Sequence, residues 1–75
     1  MKKTTGPRLV LIGNKIKKLR IDAGYGSYVA FAIEHELGRN FYWEVEKGRN
    51  VTLQYLFKIL NIHDVKLDDF FKDIA

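Results

Sequence analysis

The sequence predicts an all-α fold of five short helices around one core. Three observations support this prediction. Apolar residues recur at three- and four-residue steps, no segment shows the two-residue alternation typical of a strand, and glycines or capping residues separate the helical segments. A chain of 75 residues is large enough for one domain only. It contains no cysteine, so apolar packing must stabilise the domain without disulfides or thiolate metal sites.

The amino-terminal half is predicted to contain a basic arm and two helices. Residues 1–8 are polar, include Gly6 and Pro7, and are expected to be flexible. The folded domain is expected to span residues 9–75. On the first helix the apolar face consists of Leu9, Ile12, Ile16 and Leu19. Gly24 follows this helix, where a left-handed closing residue is favoured. A second helix is predicted over 27–36, with Ser27 as its cap.

Three further helices are predicted in the carboxy-terminal half. The third spans 39–46, between Gly38 and Gly48. Thr52 can cap the fourth. The predicted apolar stripe of the fourth helix consists of Leu53, Leu56, Phe57 and Leu60. The inward residues of a short fifth helix are Leu67, Phe70, Phe71 and Ile74.

Charge is distributed unevenly along the chain. The net charge is +4, yet the first twenty residues hold seven lysines and arginines and no acidic residue. The last twelve hold four aspartates against two lysines. A polyanion would be attracted to the cationic end, which is typical of nucleic-acid binding. A solvated helix face that keeps a small protein soluble explains the same pattern, so charge alone leaves both interpretations open.

The third helix carries the most informative surface. At about 100° per residue, Phe41, Tyr42 and Val45 share the arc that can enter the core. The opposite arc consists of Arg39, Asn40, Trp43 and Glu44. A guanidinium, an amide, an indole and a carboxylate on one exposed face indicate a contact surface rather than a merely hydrated one. Phe41 lies at the edge of the inward arc and is expected in the core, although it could also contact thymine methyl groups.

The two neighbouring short helices at 27–36 and 39–46 have the arrangement of a helix-turn-helix, a motif whose second helix lies in the DNA major groove. The surrounding sequence resembles the Cro/repressor-type helix-turn-helix family, also called xenobiotic-response-element-like. The resemblance covers about residues 9–72. The similar segments, in the family's order and spacing, are 12–20, 27–32, 42–48 and 53–71. It implies a lambda-repressor-like DNA-binding domain with a central helix-turn-helix at about 27–46.

Several positions depart from the family pattern, so the chain looks like a divergent subgroup. Tyr28 stands where many members have a glutamine that contacts phosphate. Glu36 replaces the usual turn glycine, and Gly38 replaces the usual serine or threonine cap. The spacing between Gly24 and Phe31 is one residue longer than the commonest spacing. These departures affect the inherited DNA contacts more than the expected fold.

The resemblance implies a sequence-specific transcriptional regulator that binds double-stranded DNA. The expected base contacts are Arg39 with guanine, Asn40 with adenine, Glu44 with cytosine, and Trp43 with thymine methyl groups or sugars. Trp43 could instead anchor a protein partner. The expected DNA backbone contacts are Ser27, Tyr28, Lys47, Arg49 and Asn50. Arg20 and Glu46 are expected to form a structural ion pair, as the equivalent residues do in the family.

A homodimer is expected because one short helix contacts few base pairs. The candidate surface is the carboxy-terminal pair of helices, around Leu67, Phe70, Phe71 and Ile74, although Leu67 and Phe70 are expected in the core instead. The alternative function is a helix-turn-helix used as a protein–protein interaction module, such as an antitoxin or adaptor.

No enzyme activity, cofactor or metal is expected, since Ser27 is the only serine and His35 and His63 lack ligand-spaced partners. No apolar run suits a membrane span, so a cytoplasmic, nucleoid-associated protein is expected.

Overall fold

The computed structural model of the chain describes residues 6–74. Its helices, in chain order, are α1 (Pro7–Asp22), α2 (Tyr28–Glu34), α3 (Arg39–Glu46), α4 (Leu53–His63) and α5 (Leu67–Phe71). No strand occurs within these residues, so the predicted all-α fold of five short helices is confirmed. None of the helices described combines the length and the apolar character that a bilayer crossing requires.

The first helix starts at Pro7 rather than near Leu9. Proline suits the first helical position, because its missing N–H would have no partner there and its φ is already helical. Pro7 and Arg8, assigned to the arm from the sequence, therefore belong to α1. Lys2 and Lys3, the other basic residues of that arm, lie outside the described residues.

Two helices begin with the predicted side-chain caps. The Ser27 hydroxyl accepts a hydrogen bond from the Ala30 backbone N–H at 3.2 Å, which begins α2. The Thr52 hydroxyl accepts one from the Tyr55 N–H at 3.1 Å, which begins α4. The end of α2 differs from the prediction: it ends at Glu34 because Glu36 adopts a left-handed conformation with φ of 56°. Glu36 thus takes the backbone conformation for which glycine is usually selected.

The core lies between α1, α2, α3, α4 and α5. Its buried apolar residues are Ile16, Phe31, Ala32, Leu37, Tyr42, Val45, Leu56, Ile59, Leu60 and Phe70. The predicted stripe of α4 is only partly correct, because Ile59 completes the buried face with Leu56 and Leu60. Leu53 and Phe57 are instead 66% and 44% exposed. They lie beside the buried arc rather than on it, since α4 meets the core through a narrow stripe.

On α5 the structure separates residues that the sequence grouped together. Phe70 is buried, which agrees with the core alternative, whereas Leu67 is 45% exposed. Phe71 and Ile74 are half-buried against the core. Of the four residues expected to form a dimer surface, Leu67 is therefore the one exposed to solvent.

Helices α1 and α3 approach each other closely at Gly13. A Cβ atom at this position would lie 2.6 Å from the Val45 carbonyl oxygen and 2.7 Å from that of Glu46. Such distances are too short for any side chain, so glycine is required for the backbones to pack at this separation. This contact places α3 directly on α1.

Candidate nucleic-acid interface

The inward face of α3 is fixed by burial and by an ion pair. Tyr42 and Val45 are fully buried in the core. Behind them, Arg20 Nε donates to Glu46 Oε2 at 2.7 Å, and Nη2 donates to Oε1 at 3.1 Å. Both side chains are buried, at 5% and 6% exposure. Because the two planar groups meet through parallel hydrogen bonds, the pair restrains the rotation of α3 against α1.

Arg20 also links this pair to the segment that precedes α2. Its Nη1 donates to the Tyr25 carbonyl at 2.8 Å, so one guanidinium contacts both α3 and the connection between α1 and α2. Hydrogen bonding to Glu46 raises the pKa of Arg20. Burial, with a smaller contribution from Glu46, raises the pKa of the neighbouring Tyr42 phenol, although its hydroxyl makes no hydrogen bond. The phenol therefore acts as a neutral core side chain.

The turn between α2 and α3 is held by α4. Glu36 and Gly38 both have positive φ, and the intervening Leu37 is buried. The Tyr55 hydroxyl donates to the Leu37 carbonyl at 2.9 Å, which satisfies a backbone acceptor in the turn. Burial raises the pKa of Tyr55 to about 12, so the donating proton is retained at neutral pH. The orientation of α3 relative to α2 is thus set from the side opposite its exposed face.

The outward face of α3 carries the four residues predicted for it. Arg39, Asn40, Trp43 and Glu44 are all solvent-exposed. No hydrogen bond or ion pair within residues 6–74 involves the side chains of Arg39, Asn40 or Glu44. Three polar groups therefore project from a rigidly held helix without partners in the described part of the chain.

The expectation that Phe41 lies in the core is wrong. Phe41 is 44% exposed instead of buried, and its ring packs edge-on against Tyr55 with a centroid separation of 4.6 Å. The side chain lies at the margin of the arc, as the helical wheel indicates, but α4 covers only one side of it. The exposed surface of α3 therefore includes two aromatic side chains, Phe41 and Trp43.

The residues predicted to contact the DNA backbone lie on both sides of α3. Ser27 and Tyr28 stand at the start of α2, while Lys47, Arg49 and Asn50 follow the end of α3. Lys47 Nζ lies 5.5 Å from the centre of the Trp43 ring, within the range of a cation–π contact.

Tyr28, Trp43 and Lys47 line a cleft of about 300 Å³ at the junction of α1, α2 and α3. We call it the α1–α3 cleft. Its other lining residues are Val10, Asn14 and Lys17 of α1 and the Arg20–Glu46 pair. The sequence did not predict Asn14 as a contact, and Lys17 contributed only to the positive charge of the first twenty residues. The available signal was their spacing, since residues three apart share one face of α1.

The two histidines form part of the aromatic packing. The His63 ring stacks on Phe31 at a centroid distance of 5.2 Å, and His35 lies 4.6 Å from the same ring. Burial, followed by the proximity of His35, lowers the pKa of His63. Within residues 6–74, no group of three or more histidine, aspartate or glutamate side chains could hold a metal ion.

Comparison with known proteins gives three relatives. The control protein C.MunI from a Mycoplasma species is 39% identical over 66 residues, which cover 87% of this chain and 89% of the relative. The crystal structure of the restriction-modification controller protein C.AhdI from Aeromonas hydrophila shares 31% identity and has a TM-score of 0.72. That similarity covers 84% of this chain and 96% of the solved one.

A point mutant of the restriction-modification controller protein C.Esp1396I shares 27% identity and has a TM-score of 0.77. This similarity covers 93% of the chain and 89% of the solved one. No protein-family model matches the chain.

Helices α2 and α3 form a helix-turn-helix in which α3, the second helix of the motif, is firmly packed and has an exposed polar face. These features define a helix-turn-helix protein related to the Cro and lambda-repressor type. Such proteins bind DNA through that helix. The identity and coverage of the relatives place the chain more narrowly: it belongs to the restriction-modification controller proteins. These are sequence-specific DNA-binding transcriptional regulators, so the predicted function is confirmed at this level.

Proposed function

We propose that α3 enters the major groove and that Arg39, Asn40 and Glu44 contact base edges there. The exposed, unpartnered state of these three side chains on a helix fixed from behind is the observation that supports this assignment. Arginine can donate two hydrogen bonds to guanine O6 and N7, asparagine pairs with adenine N6 and N7, and glutamate accepts from cytosine N4. Trp43 is assigned to thymine methyl groups or sugar edges beside them.

We also propose that Ser27, Tyr28, Lys47, Arg49 and Asn50 contact phosphates on either side of α3. The Ser27 hydroxyl already accepts the capping hydrogen bond from Ala30, but its own proton remains available for a phosphate oxygen. If about four to six phosphates are engaged, log affinity should fall with log salt at a slope of about −0.9 for each. These contacts position the protein without selecting sequence.

A two-fold homodimer is the proposed DNA-binding unit. The described domain measures 32 × 28 × 21 Å and contains one α3. Two copies are therefore needed to place recognition helices in successive major grooves, which are about 34 Å apart. We assign the dimer surface to the exposed apolar residues of α4 and α5, namely Leu53, Phe57 and Leu67. This keeps the predicted carboxy-terminal location and Leu67, but leaves out Phe70, which is buried, and Phe71 and Ile74, which are half-buried against the core.

Sedimentation analysis tests the dimer assignment. Leu67→Glu places a charge within the proposed interface and should shift the protein towards monomer and weaken DNA binding. The matched control is Ile33→Glu, because Ile33 is 63% exposed on α2, outside the proposed surface. Equal self-association of the two variants would contradict the assignment.

The relatives are named as controllers of restriction-modification. We infer that this chain likewise regulates genes of such a system, acting at the nucleoid in the cytoplasm and not as an enzyme. Selection of binding sites from a random duplex pool tests this function. Enriched sites should be two-fold symmetric, with half-sites about one helical turn apart. Failure to enrich any sequence would contradict sequence-specific binding.

The second candidate is a protein–protein interaction module, favoured by the exposed aromatic pair Phe41 and Trp43. Aromatic side chains are enriched in protein interfaces and indole rings often anchor them. Salt separates the two functions, because binding to duplex DNA weakens steeply as salt rises, whereas an apolar protein contact does not. A partner protein bound equally well at low and physiological salt, together with no duplex binding, would favour this alternative.

A further inference from the structure

We propose that the α1–α3 cleft binds a phosphate of the DNA backbone, so that Asn14 and Lys17 are additional DNA contacts. The inference rests on the proposed function, because DNA must lie along the outward face of α3 to reach this cleft. It extends the interface to α1, a helix that sequence reasoning assigned to electrostatic attraction only. Trp43 and Lys47 connect the two regions, since both lie on or next to α3 and both line the cleft.

The charge balance of the cleft favours an anion. Arg20 and Glu46 at its base neutralise each other through the buried ion pair. The charges that remain in the lining are the ammonium groups of Lys17 and Lys47. A phosphate near both would be attracted by two positive charges and opposed by none in the lining.

Lys17 differs from the other lysines of α1 in lacking a carboxylate partner. Lys15 lies 3.9 Å from Asp73, and Lys18 lies 3.2 Å from Asp22. No ion pair within residues 6–74 involves Lys17. No carboxylate of the described residues therefore competes with an external anion for this ammonium group, and no ion pair must be broken when that anion binds.

Neutral donors and the shape of the cleft complete the site. The exposed Asn14 amide can donate N–H, and the half-buried Tyr28 can donate its O–H. A volume of about 300 Å³ is at the lower limit for ligand sites and accommodates a phosphate with its sugars and water. Asn14, Lys17, Trp43 and Lys47 are all exposed, so the cleft is shallow. A shallow, open cleft suits a strand that passes across it better than a small phosphorylated molecule that must be enclosed.

Two lysine variants with the same charge change test the inference. Lys17→Ala and Lys18→Ala each remove one positive charge from an exposed position of α1, but Lys18 does not line the cleft. With a duplex selected from a random pool, Lys17→Ala should reduce the steepness of the log affinity–log salt relation by about 0.9. Base preference should not change. Lys18→Ala should retain the slope of the unmodified protein, and Asn14→Ala should weaken binding without altering that slope.

The same titrations distinguish two kinds of failure. If the unmodified protein binds no duplex, both the proposed function and this inference fail. If it binds but Lys17→Ala and Lys18→Ala have equal slopes, only the inference is overturned. A scan with single methylphosphonate substitutions adds a positional test. One uncharged linkage should weaken binding of the unmodified protein more than it weakens binding of Lys17→Ala, in which Lys47 still faces that phosphate. Equal effects on the two proteins at every linkage would contradict the assignment.

The intrinsic fluorescence of Trp43 separates DNA phosphate from free phosphate. Trp43 is the only tryptophan of the chain and it lines the cleft, so its emission responds to a ligand that binds there. Addition of the selected duplex should change the emission, whereas millimolar inorganic phosphate should not. A saturable change with inorganic phosphate alone, lost in Lys17→Ala, would assign the cleft to a free phosphorylated ligand and overturn the DNA assignment.

Discussion

Removal of the Glu46 carboxylate should strongly destabilise the domain, because it breaks the ion pair that holds α3 against α1. In Glu46→Ala the Arg20 guanidinium stays in the interior, at 4% exposure, without the acceptors that it meets at 2.7 and 3.1 Å. Its remaining hydrogen bond to the Tyr25 carbonyl satisfies only one donor. An uncompensated buried charge is the main cost of such a substitution, since the guanidinium does not lose its proton at neutral pH.

Breaking a buried pair by removing one partner costs about 3–5 kcal/mol. At roughly 0.05–0.15 kcal/mol per residue, a domain of this length has a total stability of about 4–11 kcal/mol. Glu46→Ala should therefore remove a large fraction of it. For domains of this size 1 kcal/mol corresponds to about 4–8 °C in Tm, so the melting temperature should fall by about 12 °C or more.

Thermal and urea unfolding followed by circular dichroism measure this loss. The control is Asp22→Ala, which removes the partner of Lys18 from an exposed ion pair of 3.2 Å. Exposed pairs contribute about 0–1 kcal/mol, so this variant should melt close to the unmodified protein. A loss of less than about 1 kcal/mol in Glu46→Ala would show that the buried pair contributes no more than an exposed one.

Two other perturbations follow from the packing. Gly13→Ala should destabilise by about 1–3 kcal/mol despite the helix preference of alanine, because its Cβ would clash with two carbonyl oxygens of α3. Gly26→Ala, where an added Cβ meets no atom within 4 Å, is the control and should be nearly neutral in denaturant melts. The lowered pKa of His63 means that the folded state binds a proton less tightly than the unfolded state, whose value is near 6.5. This contribution to stability is present above that value and is lost as pH falls towards the folded pKa. His63→Asn should therefore flatten the dependence of the free energy of unfolding on pH. An unchanged pH dependence in this variant would exclude His63 as the cause of the loss.

The sequence alone was sufficient to predict the number of helices in the described residues and to assign the residues on the two faces of α3. Helical periodicity, the caps Ser27 and Thr52, and the wheel positions of Arg39 and Glu44 depend on local rules, and local rules hold in this chain. Pro7 also carried a local signal, because proline is favoured at the first helical position, and the arm was extended too far by treating it as a breaker.

Other features depend on distant parts of the chain. Leu53 and Leu56 are equally apolar, and only the packing of α4 on its neighbours decides that Leu56 is buried and Leu53 is exposed. Gly13 is an ordinary helix glycine until the carbonyl groups of α3 are placed against it. The α1–α3 cleft is formed from three helices, so the contribution of Lys17 could not be inferred from the order of residues alone.

In the proposed function, the outward face of α3 selects the DNA sequence. The most direct measurement compares Arg39→Ala with Arg49→Ala in binding to a selected duplex and to all of its single base-pair variants. Arg39→Ala should lose preference at one base pair, with about 1–3 kcal/mol of discrimination removed there. Arg49→Ala should weaken binding to every duplex by the same factor. Unchanged base preference in Arg39→Ala, or equal patterns in the two variants, would show that the outward face of α3 does not select the sequence.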